Sequence, residues 1–137
     1  MKHRLEQSLT EVVIRLQTEF PELIAIYLFG SSGTEYERPD SNLDLAVYAG
    51  GPLPVTKLWY LAQEIASVVG REVDVLDLAA ASTVMRAQVI HEGKRIYCSD
   101  EVACETFEDY TYSSYARLNE ERRGILRDVL RRGSVHG

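Results

Sequence analysis

At 137 residues the chain can build one hydrophobic core but not two, so a single domain spanning 1–137 is expected. Hydrophobic residues at 45% and charged residues at 26% suit an ordinary globule, and no apolar run approaches the roughly 20 residues of a membrane span. A net charge of −6 argues against DNA or tRNA as the main partner, because phosphate contacts need a basic face.

The opening stretch MKHRLEQSLTEVV is charged and amphipathic and has no signal-peptide core, which predicts a cytoplasmic protein. Leu9, Val12, Val13 and Leu16 recur at helical spacing, predicting a helix over residues 3 to 19 that stops before Pro21. Two apolar strands follow, Ile24 to Phe29 and Leu43 to Tyr48, joined by a Gly-Ser turn and a polar loop. Pro52 and Pro54 mark a second loop. Leu58, Leu61, Ala62, Ile65, Val68 and Val69 then form the apolar stripe of a helix capped at Gly70. A third strand is expected from Glu72 to Leu78, a third helix from Ser82 to His91, and a short edge strand from Lys94 to Cys98. Cys98 and Cys104 form no C-x-x-C and read as free thiols of a reducing compartment.

Residues 101 to 132 read as one helix, with Phe107, Tyr110, Thr111, Ser114 and Leu118 on one stripe and Ile125, Leu126, Val129 and Leu130 continuing it. At the standard rise that helix is about 48 Å long, more than the diameter of so small a domain. It must therefore project or break near Gly124. Its last sixteen residues carry a local charge of +3 in a chain of net −6, so the segment is read either as a solvated face or as a partner-binding or self-association surface. The order α-β-β-α-β-α-β-α predicts an α/β fold: a mixed β-sheet with flanking helices and a long C-terminal helix.

Asp44 breaks the apolar pattern of the second strand, and an ionised group there needs compensation, most commonly by a cation. Gly30 and Ser31, just past the first strand, suit a turn whose backbone N–H groups approach phosphate. Together they form a layout able to hold a nucleoside triphosphate with magnesium. Asp74, a charge between Val73 and Val75, is the candidate carboxylate from a neighbouring strand. Asp77 lies an odd number of residues away and so faces the other side, which suits a strand-end or capping role. There is no G-x-x-x-x-G-K-[ST] and no G-x-G-x-x-G, and His3, His91 and His136 show no zinc or triad spacing.

Gly30-Ser31, ten spacer residues and Asn42-Leu43-Asp44 resemble the signature G-S-x10-D-x-D of the nucleotidyltransferase superfamily, with asparagine in place of the first aspartate. The words LFGSSG and RPDSNLDLAV are similar to the small branch called minimal nucleotidyltransferases, which share the DNA polymerase beta-like fold. The resemblance implies Asn42, Asp44 and Asp74 as catalytic and magnesium-binding residues, Gly30 and Ser31 as nucleotide-binding residues, and ATP as substrate. Relatives often carry a basic residue soon after Gly-Ser; none stands at Ser32, Gly33 or Thr34. Triphosphate binding is then expected to rely on Arg38, Lys57 or Arg86.

Members of that branch serve as antitoxins that adenylylate a tyrosine on a HEPN-domain ribonuclease toxin, which makes such a toxin the implied partner. The chain's small size also implies a protein acceptor, because relatives acting on drugs or RNA usually carry a further domain. Asparagine can still offer magnesium an oxygen, but it brings no charge, so impaired transfer is expected. Silencing of the partner by binding alone is the alternative. A natural drift to an inactive protein and an introduced Asp→Asn change both account for Asn42, and the intact PDS-x-LDLAV surroundings favour the introduced change.

Overall fold

In the computed structural model, which describes residues 2–30 and 42–132, the eight expected elements form in the expected order. They are α1 (Lys2–Glu19), β1 (Ala25–Phe29), β2 (Leu43–Tyr48), α2 (Val55–Val69), β3 (Val73–Asp77), α3 (Thr83–Glu92), β4 (Lys94–Cys98) and α4 (Glu101–Arg131). The strands form one sheet in the order β3-β2-β1-β4. β1 runs antiparallel to both β2 and β4. β2 and β3 run parallel, as a strand pair joined by a helical crossover must.

Side-chain alternation divides the core into two layers. On one face Ile26, Leu28, Leu43, Leu45, Val47 and Val73 are buried against Val12 and Leu16 of α1 and Leu58, Leu61 and Ile65 of α2. On the other face Ala25, Tyr27 and Ala46 meet Val89 and Ile90 of α3 and Cys104 and Phe107 of α4. The Tyr48 ring stacks on Phe107 at 3.8 Å between centroids. Near-continuous apolar strands are what a sheet covered on both faces requires.

The helix ends obey local chemistry. Gly70 caps α2 in a left-handed conformation, with its N–H donating to the Ala66 carbonyl at 2.9 Å. Ser82 accepts from the Met85 N–H at 3.1 Å, and Asp100 from the Ala103 N–H at 3.2 Å, so each satisfies one orphan donor of a first helical turn.

Of the two outcomes expected for α4, it projects: the helix runs unbroken through Gly124. One glycine costs a helix only about 1 kcal/mol relative to alanine. Cys104, Phe107 and Thr111 form its buried line, whereas Tyr110, expected on that stripe, is 65% exposed. From Glu120 onward every described residue of the helix is exposed. Arg95 of β4 pairs with Glu108 at 2.6 Å and Glu101 at 3.1 Å, fastening the first half of α4 to the sheet edge. The Cys98 and Cys104 sulfurs, both free thiols, lie 2.8 Å apart beside this junction. Burial, and then Cys98, push the Cys104 thiol up to about 12.

Candidate active site

Three strands bring the candidate residues to one end of the sheet. In the ladder Phe29 of β1 stands opposite Asp44 of β2, and Asp44 stands beside Asp74 of β3. Adjacent strands are about 4.8 Å apart, so the two carboxylates can reach a common cation. Both lie on the face that α3 and α4 cover further along the sheet, where Ala46 and Leu76 are packed. At the site itself Asp74 is exposed and Asp44 half-buried.

Gly30 closes β1 with φ +73, a left-handed conformation that favours glycine. A Cβ at this position would run into the Asp44 carboxylate. Any other residue here would therefore displace the acid as well as strain the turn. Ser31 and Arg38, the other residues expected at the phosphates, lie outside the described residues.

The Asp44 carboxyl is held above the ordinary carboxylate range, first by burial and then by the charge of Asp74 beside it. Its ionised form is thereby disfavoured, a penalty that a bound cation would relieve. Asn42, two positions before Asp44, directs its amide nitrogen at an Asp74 carboxylate oxygen 3.4 Å away. Which end of an amide faces a neighbour is set by the hydrogen-bond network, and a half-turn of the group presents its oxygen instead. Asn42 thus satisfies Asp74 as a donor where an aspartate would add a third negative charge.

The set fits magnesium in kind: two adjacent carboxylates, one of them raised by burial and by its neighbour, and a hard amide oxygen within reach. Among the described residues no group of three or more His, Cys, Asp or Glu is arranged to hold a metal. Asparagine at position 42 is not one of those residue types.

Asp77 has a different task. It accepts from the Leu53 N–H at 2.8 Å and the Ala79 N–H at 3.1 Å, tying the loop before α2 and the turn after β3 to the strand end. The expected auxiliary cations are also engaged elsewhere. Lys57 pairs with Glu19 at 3.3 Å and lies over the Phe20 ring, and Arg86 donates to the carbonyls of Leu78 and Ala79 at 2.6 and 2.8 Å. Both cations expected near a triphosphate thus have partners within the chain. Each is long enough to find a partner in the adjoining segment, and Arg86 satisfies two carbonyls that no strand pairs.

Sequence reasoning missed a cleft of about 510 Å³ beside Asp74, bounded by Phe29, Leu53, Val55, Trp59 and Val75. Its signal was present: Val55 and Trp59 are large apolar residues off the inward stripe of α2, and are 81% and 57% exposed.

The family described as polymerase beta, nucleotidyltransferase matches residues 11–102. The protein adenylyltransferase MntA of Shewanella oneidensis is 37% identical over 126 residues, covering 90% of each chain. A solved toxin–antitoxin structure with AMP-PNP is 36% identical over 88% of this chain and 97% of that chain, with a TM-score of 0.77. Another, a tri-AMPylated Shewanella oneidensis HEPN toxin in complex with MNT antitoxin, is 35% identical over 91% of this chain and 98% of that chain, with a TM-score of 0.75.

Proposed function

The chain belongs to the polymerase beta nucleotidyltransferase family, and from that premise we propose that it transfers AMP from ATP to a tyrosine hydroxyl of a HEPN-domain toxin. The observation that carries this reading is the row formed by Gly30, Asp44 and Asp74 across three strands, with Asp44 raised by burial and then by Asp74. The relatives support it: one is named a protein adenylyltransferase, and another is a complex whose HEPN toxin is tri-AMPylated. We place the pair in the cytoplasm. No helix among the described residues is long and apolar enough to cross a membrane.

In the reaction the acceptor oxygen forms a bond to the α-phosphorus of ATP. The bond from that phosphorus to the oxygen bridging the β-phosphate breaks, and pyrophosphate leaves. Gly30 and Ser31 are the residues that bind the phosphates. Asp74, the exposed acid, orients the acceptor hydroxyl and takes up its proton. Asp44, Asp74 and the Asn42 amide oxygen would hold magnesium, which when bound supplies neutralising charge for the triphosphate. A neutral ligand at position 42 weakens that hold, so transfer by this chain is slow.

A second reading is favoured by one observation, the Asn42 amide donating to Asp74. This contact satisfies the exposed acid without a cation, as in a protein that silences its partner by binding alone. Restoring the charge separates the two readings. Asn42→Asp is expected to raise magnesium-dependent transfer from labelled ATP to the co-expressed partner by about 10- to 100-fold, the usual effect of completing a metal's surroundings. If the aspartate variant is no more active than the parent, position 42 is not part of the metal site. If neither modifies a partner that both still silence, silencing is by binding.

A further inference from the structure

We propose that the apolar cleft beside Asp74 receives the aromatic ring of the acceptor tyrosine, stacked on Trp59 with its hydroxyl directed at Asp74. This rests on the adenylyl-transfer reading and names where its second substrate binds.

The groups stand in a fixed order across the sheet. Gly30 ends β1, Asp44 stands on β2 and Asp74 on β3, and the cleft wraps the outer edge of β3, with Phe29 and Asp74 in its lining on the carboxylate face and Leu53 and Val75 on the α2 face. Phosphoryl transfer places the entering and leaving oxygens roughly in line on opposite sides of phosphorus. With the phosphate-binding turn at the β1 end, pyrophosphate leaves on that side. The acceptor then enters from the side of β3, where the cleft lies.

Its lining matches a phenol better than a purine. Leu53, Val55, Trp59 and Val75 make its lining largely apolar, and Asp74 contributes a carboxylate from the opposite face of the edge strand. Asp77 also lines it, but both of its oxygens already accept backbone N–H bonds. Gln63 is the one amide side chain of the lining left to serve the several nitrogens of a purine edge. A tyrosine has a single polar side-chain atom, and Asp74 can meet it. The volume exceeds that of one ring and leaves room for the residues flanking the tyrosine in a peptide. Val55 and Trp59, at 81% and 57% exposure, leave apolar surface at the mouth for such a segment to cover.

Trp59 is the only tryptophan of the chain, so its emission reports the cleft directly. A short tyrosine-containing peptide should quench or shift that emission, and AMP-PNP alone should leave it nearly unchanged. In the Asn42→Asp protein, Trp59→Ala should raise KM for the protein acceptor by about tenfold, the scale of a lost aromatic stack with its buried area. kcat and KM for ATP should stay within about twofold, the pattern of lost ground-state binding. Trp59→Phe should restore most of the acceptor affinity.

A rise in KM for ATP instead would overturn the proposal and assign the cleft to the nucleobase. Unchanged constants would overturn it too. If the Asn42→Asp protein transfers nothing, the adenylyl-transfer reading fails, and peptide binding decides the cleft by itself. Quenching by the tyrosine peptide then upholds a ring site, and its absence removes it.

Discussion

The carboxylate end of the sheet and the distal half of α4 both carry groups that the described residues satisfy only in part, but they do so in different ways. At the sheet end the unsatisfied feature is charge, and its geometry is set by three paired strands and by a glycine against Asp44. On α4 it is apolar area: Ile125, Leu126 and Leu130 are 67%, 59% and 71% exposed on a helix held there by its own hydrogen bonds. A preorganised charge site depends on particular atoms, so even isosteric changes should matter. An apolar surface depends on area and character, so it tolerates reshaping but not charge. Three experiments test this contrast.

The largest effect is expected at the sheet. In the Asn42→Asp background, Asp74→Asn should lower transfer by orders of magnitude, because it removes a metal-binding carboxylate and the proton acceptor together. Asp77→Asn, equally isosteric and on the same strand, should keep most of the transfer. It should cost stability of about 1 kcal/mol for the weakened bonds to the Leu53 and Ala79 N–H groups, visible as a lower Tm. Equal losses of transfer from the two changes would show that strand alternation does not separate their roles.

Next comes the helix. Replacing Leu126 and Val129 with Glu should abolish co-purification with the HEPN partner, because a charge in an apolar contact has no compensation there. Far-UV circular dichroism, Tm and nucleotide binding should be unchanged. Continued co-purification would place the interface elsewhere. A marked fall in Tm would mean that the stripe belongs to this protein's own core.

The smallest effect is a pH dependence. Burial and Asp74 raise the Asp44 carboxyl, so the stability it contributes to the metal-free protein is fully present below its unfolded value, about 3.9. That stability is lost as pH rises through the higher folded value. Magnesium binding removes the penalty, so the magnesium-induced rise in Tm should grow as pH increases from about 4. Asp44→Asn should flatten this profile. A magnesium effect that is constant across that range would detach Asp44 from the metal.

Much of this was legible in the chain because local physics carried it. Strand alternation separates Asp74 from Asp77 without any tertiary information. Their different surroundings, two backbone donors on Asp77 and a neighbouring acid beside Asp74, come from facing opposite sides of the sheet. The phase of α4 is another matter. An ideal helical period admits Tyr110 to the buried stripe, but the line Cys104, Phe107, Thr111 is the one the sheet meets. Only the packed sheet sets that phase.

By itself, then, the sequence determined the elements and their order, the unfavourable placement of Asp44, the glycine turn before it and the missing charge at position 42. Each of these depends on neighbours within a few residues. The tertiary structure decided the rest. It set Asp44 beside Asp74, gave Lys57 and Arg86 partners within the chain, and carried α4 past the core without a break. It also joined Phe29, Leu53, Trp59 and Val75 into one cleft. The physical reason is that a cleft belongs to the space between elements. β1, the loop before α2, α2 itself and β3 meet there only because β2 pairs with β1 on one side and, through the α2 crossover, with β3 on the other.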